Sequence, residues 1–215
     1  MSNFLEDCLV YRDDDIFVIN KPAGLLTVPG KGEALFDSVL TRLQTLEPRT
    51  LLIHRLDRDT SGLLVFALNK AAQSHISKQF QARETEKLYT AIVEGTLTHE
   101  KGQIDVPVCY DPSRPPLHIA DPEFPKPALT YYQVLERFEL QGVAATRVAL
   151  TPVTGRSHQL RVHTQYLGHP IVGDTLYASE QGIALSDRLY LHATALSFKH
   201  PVTAQQLHFE CMPEF

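Results

Sequence analysis

Apolar and polar positions divide this chain into short strand-like blocks with polar punctuation between them. DIFVIN (15–20) alternates and is rich in β-branched and aromatic residues, which predicts a strand ending at the turn signal Lys21-Pro22-Ala23-Gly24. LLI (51–53) and GLLVFAL (62–68) are short continuous apolar runs, the pattern of buried strands. KLYTAIVEGTL (87–97), LTYYQVLERF (129–138), ATRVALTPV (145–153), RLYLHATALSF (188–198) and QQLHFEC (205–211) are further strand candidates. Helical spacing is confined to a few places. Residues 37–46 predict a short helix with Asp37 as its N-cap. Asn69 predicts the cap of a helix through Arg83, with Ala72, Ile76, Gln79 and Phe80 on one side. A third helix is expected near Ser157 to Leu167, with Gly168 just past its end.

Many strands and few helices, not in strict alternation, predict an α+β fold with a large mixed, mostly antiparallel sheet flanked by helices and loops. Residues 106–127 hold seven of the fourteen prolines and predict a long irregular connection or a protruding loop. Without repeats, low-complexity tracts or a clear linker, residues 1–215 are expected to form one domain.

Composition narrows the class. At 215 residues, 43% hydrophobic and 21% charged, the chain can bury a substantial core. No basic segment followed by an apolar run opens it, and the apolar runs are too short to span a membrane, so a cytoplasmic, membrane-free protein is expected. Cys8, Cys109 and Cys211 are scattered and odd in number, which suits a reducing compartment and argues against a disulfide framework.

The net charge of −5 counts against a polyanionic partner, but its distribution does not. No acid occurs from Leu140 to Gly173, where Arg147, Arg156, Arg161, His158, His163 and His169 fall. Thr60 to Arg83 is likewise acid-free and carries Lys70, Lys78 and Arg83. Such local asymmetry allows a polyanion to dock. The plainer alternative is a pair of solvated helix faces.

Two constellations carry candidate chemistry. HRLDRDTSG (54–62) places charges between two apolar runs, where Asp57 is either half of a structural Asp–Arg pair or a catalytic carboxylate on a loop held by rigid strands. In TPVTGRSHQLRVH (151–163), a helix beginning near Ser157 would align Arg156, Gln159 and His163 at its entry, with Arg161 on another side. A guanidinium aimed at Asp57 would keep that carboxylate ionised and oriented. HQLRVH lacks the one-turn spacing of a helical zinc pair, and a histidine-based metal hydrolase has only the ten histidines in its favour.

HRLDRDTSG, NKPAGLLTVPG (20–30), KLYTAIVEG (87–95), GRSHQLRVH (155–163), LGHPIVGD (167–174) and RLYLHA (188–193) occur in this order. Together they resemble the RluA-type family of pseudouridine synthases, from about residue 9 to the end. The resemblance implies isomerisation of a uridine within RNA: the N1–C1′ bond breaks, the uracil turns, and C5 bonds to C1′. Asp57 matches the essential aspartate, Tyr89 the tyrosine that packs on the uracil and is proposed to take the C5 proton, and Arg156 the arginine paired with the aspartate. Leu191 matches a residue lining the base pocket, and Arg55 one that enters the RNA stack where the target base has left. His54, Gln159 and Arg161 lie in the same motifs and are further candidate substrate contacts. Neither a metal nor an organic cofactor is implied, which agrees with a reaction that must exclude water rather than activate it. Many relatives add an N-terminal S4-type RNA-binding domain, and none is expected here. The short form implies RNA recognition by the catalytic domain alone, with a monomer expected and targets in stem-loops of 23S rRNA and tRNA. A tRNA-only synthase and a catalytically silent RNA-binding or assembly factor are the alternatives.

Overall fold

The computed structural model of the protein describes residues 4–215, and the chain divides into two units, with boundaries at Lys87/Leu88, His192/Ala193 and Glu214/Phe215. The first unit takes the chain up to Lys87 and then Ala193–Glu214, and the second takes Leu88–His192 with Phe215. The fold is α+β, as the strand-rich pattern predicts. No helix among the described residues is long and apolar enough to cross a membrane.

The first unit begins with α1 (Phe4–Cys8), β1 (Leu9–Arg12), β2 (Ile16–Lys21), α2 (Val39–Leu46), β3 (Leu51–Leu52), β4 (Ser61–Ala67) and α3 (Lys70–Ala82). β1, β2 and β4 pair antiparallel in that order, and β3 pairs with β4 over two residues. β4 is buried at every position, which is why its sequence is a continuous apolar run rather than an alternation. Ile16, Val18, Leu63, Val65, Ile76, Leu196 and Phe198 form the core of this unit. Asn69 caps α3 by accepting from the Ala72 N–H at 2.8 Å, as expected, and Arg83 closes the helix in a left-handed conformation. At α2 the cap is Ser38, not Asp37: Ser38 and Thr41 form a reciprocal capping box, while Asp37 holds Arg42 through two bonds of 2.8 and 2.7 Å. A carboxylate with an arginine five residues on gains more from that charge-assisted fork than from one backbone N–H.

The second unit carries β5 (Glu86–Glu94), whose first two residues precede the boundary, then β6 (Lys101–Asp105), β7 (Val108–Tyr110), β8 (His118–Ala120), β9 (Leu129–Leu140), β10 (Val143–Pro152), α4 (Gln159–Tyr166) and α5 (Glu180–Ala184). Its sheet runs β5-β10-β9-β6, with antiparallel neighbours. The proline-rich stretch is more ordered than its composition predicts, because β7 and β8 pair as a hairpin whose Val108 joins Val162 of α4 in an apolar cluster. α4 begins two residues later than expected because His158, at φ 55°, is left-handed and cannot extend the helix backward. Gly168 closes it as predicted, at φ 81°. The chain then returns through β11 (Leu191–Lys199) to β12 (Gln206–Glu210), paired antiparallel, with β11 beside β4.

Candidate active site

Asp57 stands on the irregular segment between β3 and β4, half-buried, and its backbone neighbours are held on both sides. Before it, Leu56 exchanges two bonds with the buried Thr27 hydroxyl, which accepts from the Leu56 N–H at 3.2 Å and donates to its carbonyl at 2.8 Å. Thr27 is itself tied to the entry of α2, whose Val39 and Leu40 N–H groups donate to Leu26 and Thr27 carbonyls. After it, the Arg58 carbonyl accepts from Lys21 Nζ at 2.8 Å. Lys21 has 0% of its surface exposed, and its ammonium also donates to the Pro22 and Leu25 carbonyls at 2.8 and 2.7 Å. The NKPAGLLT and HRLDRD segments are thus sewn together, and the Arg58 Nε adds a bond to the Gly24 carbonyl at 3.0 Å. Behind them, Gly62 at φ 111° lies where any Cβ would strike the Ala193 backbone, so the glycine of the motif is a requirement of close strand approach.

Lys21 and Thr27 were not legible as site residues, because a lysine at a strand end normally reads as surface. The remaining signal was its position between the apolar run Ile16–Ile19 with Asn20 and the turn Pro22-Ala23-Gly24. Replacement of Lys21 by Met should leave three carbonyls without their ammonium donor and cost about 3 kcal/mol or more of stability. A urea midpoint unchanged from the parent would contradict this, and turnover should fall more steeply than stability because the Asp57 segment loses its anchor.

In the second unit, Tyr89 of β5 is half-buried and packs on a cluster that contains Leu191, Leu150, Leu160 and Ile171, so the structure brings two of the expected pocket residues to one apolar patch. Arg156 lies in the turn before α4. Its Nε and Nη2 each donate to the Pro127 carbonyl at 3.3 Å, and its backbone N–H donates to Gln159 Oε1 at 3.0 Å. Gln159 is buried and uses its whole amide: Oε1 also accepts from the Thr154 hydroxyl at 2.8 Å, and Nε2 donates to the Leu129 carbonyl and Thr130 Oγ1 at 3.1 and 3.0 Å. It builds the turn that carries Arg156 and has no donor left to offer a ligand.

Three other candidates are placed away from a contact role. Arg161 is 4% exposed and forms a two-point ion pair with the fully buried Asp174, at 2.7 and 2.6 Å. It is therefore not a surface cation for RNA phosphates. His54 accepts the Val65 N–H on Nε2 at 3.2 Å and stacks on Phe80 at 4.4 Å, fixing the loop to β4 and α3. Burial, then the nearby Lys87 charge, lowers its pKa to about 3. His163 is fully buried between Thr130 Oγ1 and the Val106 carbonyl, both at 2.9 Å, and burial lowers its pKa too. Arg55, in contrast, is exposed beside Asp57. Among the described residues one cluster has metal-ligand geometry, Asp13, Asp15 and His200 within 4.8 Å, but it lies outside every motif, and Asp13 already bonds His200 and the turn N–H groups of Asp15 and Ile16.

The two histidines give a pH expectation. Both hold folded-state pKa values below the usual histidine range, so the unfolded chain binds protons that the folded chain refuses. Stability is then complete above about pH 6.5 and falls as the pH drops toward the folded values, by at most about 1.4 kcal/mol per pH unit for each group. His54→Gln, which keeps an acceptor for Val65 without titrating, should flatten the fall in urea midpoint between pH 7 and pH 5. An unaltered slope would show that His54 is not a source of it.

Comparison with known proteins places the chain. A sequence model of the family described as RNA pseudouridylate synthase matches residues 15–166, across both units. This chain belongs to that family. The dual-specificity RNA pseudouridine synthase RluA of Vibrio parahaemolyticus is 50% identical over 194 residues, 90% of this chain and 78% of that protein. The protein of the same name from Yersinia pestis is 46% identical over 208 residues, 96% of this chain and 99% of that one. Among solved structures, human RNA pseudouridylate synthase domain containing 1 superposes with a TM-score of 0.82 at 33% identity, covering 96% of this chain and 83% of that one. The protein is an RNA-modifying isomerase, a pseudouridine synthase.

Proposed function

We propose that this pseudouridine synthase has dual specificity and isomerises uridines in stem-loops of both 23S rRNA and tRNA, the latter in the anticodon arm. Relatives named dual-specificity at 46% and 50% identity over nearly the whole chain support it. The observation that carries the catalytic assignment is the Asp57 segment, a reactive carboxylate whose flanking backbone is fixed by Thr27 and Lys21. On this reading the N1–C1′ bond breaks, C5 bonds to C1′, and the proton leaving C5 is balanced by one gained at N1, so no oxidant, water or cofactor is consumed. Asp57 acts as nucleophile or base, Tyr89 packs on the uracil and accepts the C5 proton, Leu191 lines the base pocket, and Arg156 keeps the carboxylate ionised. Arg55 stacks into the gap left by the extruded base, which offsets part of an unstacking cost of a few kcal/mol. His54, Gln159 and Arg161 serve as positioning residues rather than substrate contacts. The enzyme works as a cytoplasmic monomer without a metal, and both units belong to one catalytic domain.

Mapping pseudouridines in total RNA from a strain lacking the gene, beside a complemented one, tests this. Loss at both rRNA and tRNA sites is expected. Loss in tRNA alone would make it a tRNA-only synthase, and no loss a silent RNA-binding factor. Docking is assigned to α3, which contains no acid and presents Lys70 and Lys78, with Arg83 exposed at its end. Affinity should fall as salt rises, and Lys78→Ala with Arg83→Ala should reduce the slope of log K against log salt by about 1 to 2. A flat response in the unmodified protein would remove α3 from the docking face.

A further inference from the structure

None of the roles proposed above falls on the β7–β8 hairpin, yet its attachment beside Arg156 is specific. The His118 backbone N–H, at the start of β8, donates to the Tyr177 hydroxyl at 2.9 Å, and His158 Nδ1 is 2.6 Å from the same oxygen. A phenol oxygen that accepts from one group still has a proton to donate to another, so one atom joins hairpin and turn. The His118 and His158 rings lie 4.7 Å apart above it. Tyr177 is 6% exposed and shares its apolar cluster with Val108 of the hairpin and Val162 of α4. Its ring stands 5.0 Å from the Arg161 guanidinium, and its own N–H donates to Asp174, the carboxylate that clamps Arg161. Ring, hydroxyl and backbone are all held.

The other end of the link is strained. His158 keeps φ at 55°, a left-handed conformation that a residue with a Cβ adopts only at an energetic cost. It stands two residues after Arg156, and its carbonyl accepts the first full helical bond of α4, from Val162 at 2.9 Å. A change in its backbone would therefore pass directly to the turn that aims Arg156.

We propose that Tyr177 is a positioning residue for Arg156: through His158 its hydroxyl holds the turn at residues 155–158 and couples that turn to the β7–β8 hairpin. This rests on the reading of Arg156 as part of the catalytic apparatus. Tyr177 is buried, so its loss alters the fraction of bound complexes with Arg156 in reactive geometry and leaves RNA affinity nearly as it was.

The test is a double-mutant cycle of Tyr177→Phe and Arg156→Met, followed by single-turnover kinetics on an RNA stem-loop with enzyme in excess, below the melting temperature of each variant. Tyr177→Phe should lower the rate at saturation about tenfold, with half-saturation within about twofold, and should cause no further loss in the Arg156→Met background. The same loss in both backgrounds, or an effect on half-saturation alone, would overturn the coupling. Full activity of Arg156→Met would instead bring down the reading of Arg156, and the proposal with it. Should Tyr177→Phe melt below the assay temperature, His158→Ala, which leaves the His118–Tyr177 bond intact, enters the cycle in its place with the same expectations.

Discussion

Asp57→Asn is expected to abolish isomerisation while leaving RNA affinity within about tenfold, a loss of transition-state stabilisation on the order of 5 kcal/mol or more. The substitution conserves size and removes only the reactive charge. The loop should survive it, because the bonds from Thr27 and Lys21 hold the backbone of Leu56 and Arg58 on either side of Asp57. Tritium release from RNA labelled at uracil C5 measures the first quantity and filter binding the second. Near-normal tritium release would end the catalytic assignment. Loss of binding together with turnover would instead indicate a carboxylate that organises the RNA-binding surface.

The preserved loop also explains what could be read in the sequence. The core strands were legible because burial on both faces demands a continuous apolar run, as in β4, and because Lys21-Pro22-Ala23-Gly24 stops β2 where predicted. α3 was legible from its Asn69 cap. What escaped depends on partners distant in sequence or just outside the stretch being read. The acid-free segment ending at Gly173 suggested that Arg161 was a free cation, yet its partner Asp174 is the next residue, brought under α4 by the turn that follows. His54 sits in a charged motif, but the backbone of Val65 claims its ring nitrogen. Lys21 is buried because three carbonyls converge on it, and only the fold brings those carbonyls together. The hairpin in the proline-rich stretch was missed because three-residue strands carry too little pattern, and they pair here with the support of α4.

Arg156→Met is expected to lower turnover nearly as far as Asp57→Asn, while costing the fold at most about 1 kcal/mol. The small stability term follows from the half-buried position of the side chain and its two long bonds, at 3.3 Å, to a single carbonyl, that of Pro127. The turn itself depends on Gln159, which binds the Arg156 backbone and is indifferent to the side chain. The large kinetic term follows from the assigned role: a carboxylate deprived of its guanidinium reorients or takes up a proton in the closed complex, and either change removes the reactive form. Arg156→Lys discriminates between charge and shape. A lysine restores the charge but places it on a single rotating nitrogen, without the planar fork whose Nε and Nη2 both reach one acceptor here, and should recover little activity. Single-turnover rates for the two variants, set beside their urea midpoints, decide the matter. A fully active lysine variant would mean that charge alone suffices, and that the fixed turn around Gln159 serves stability rather than the aim of a guanidinium.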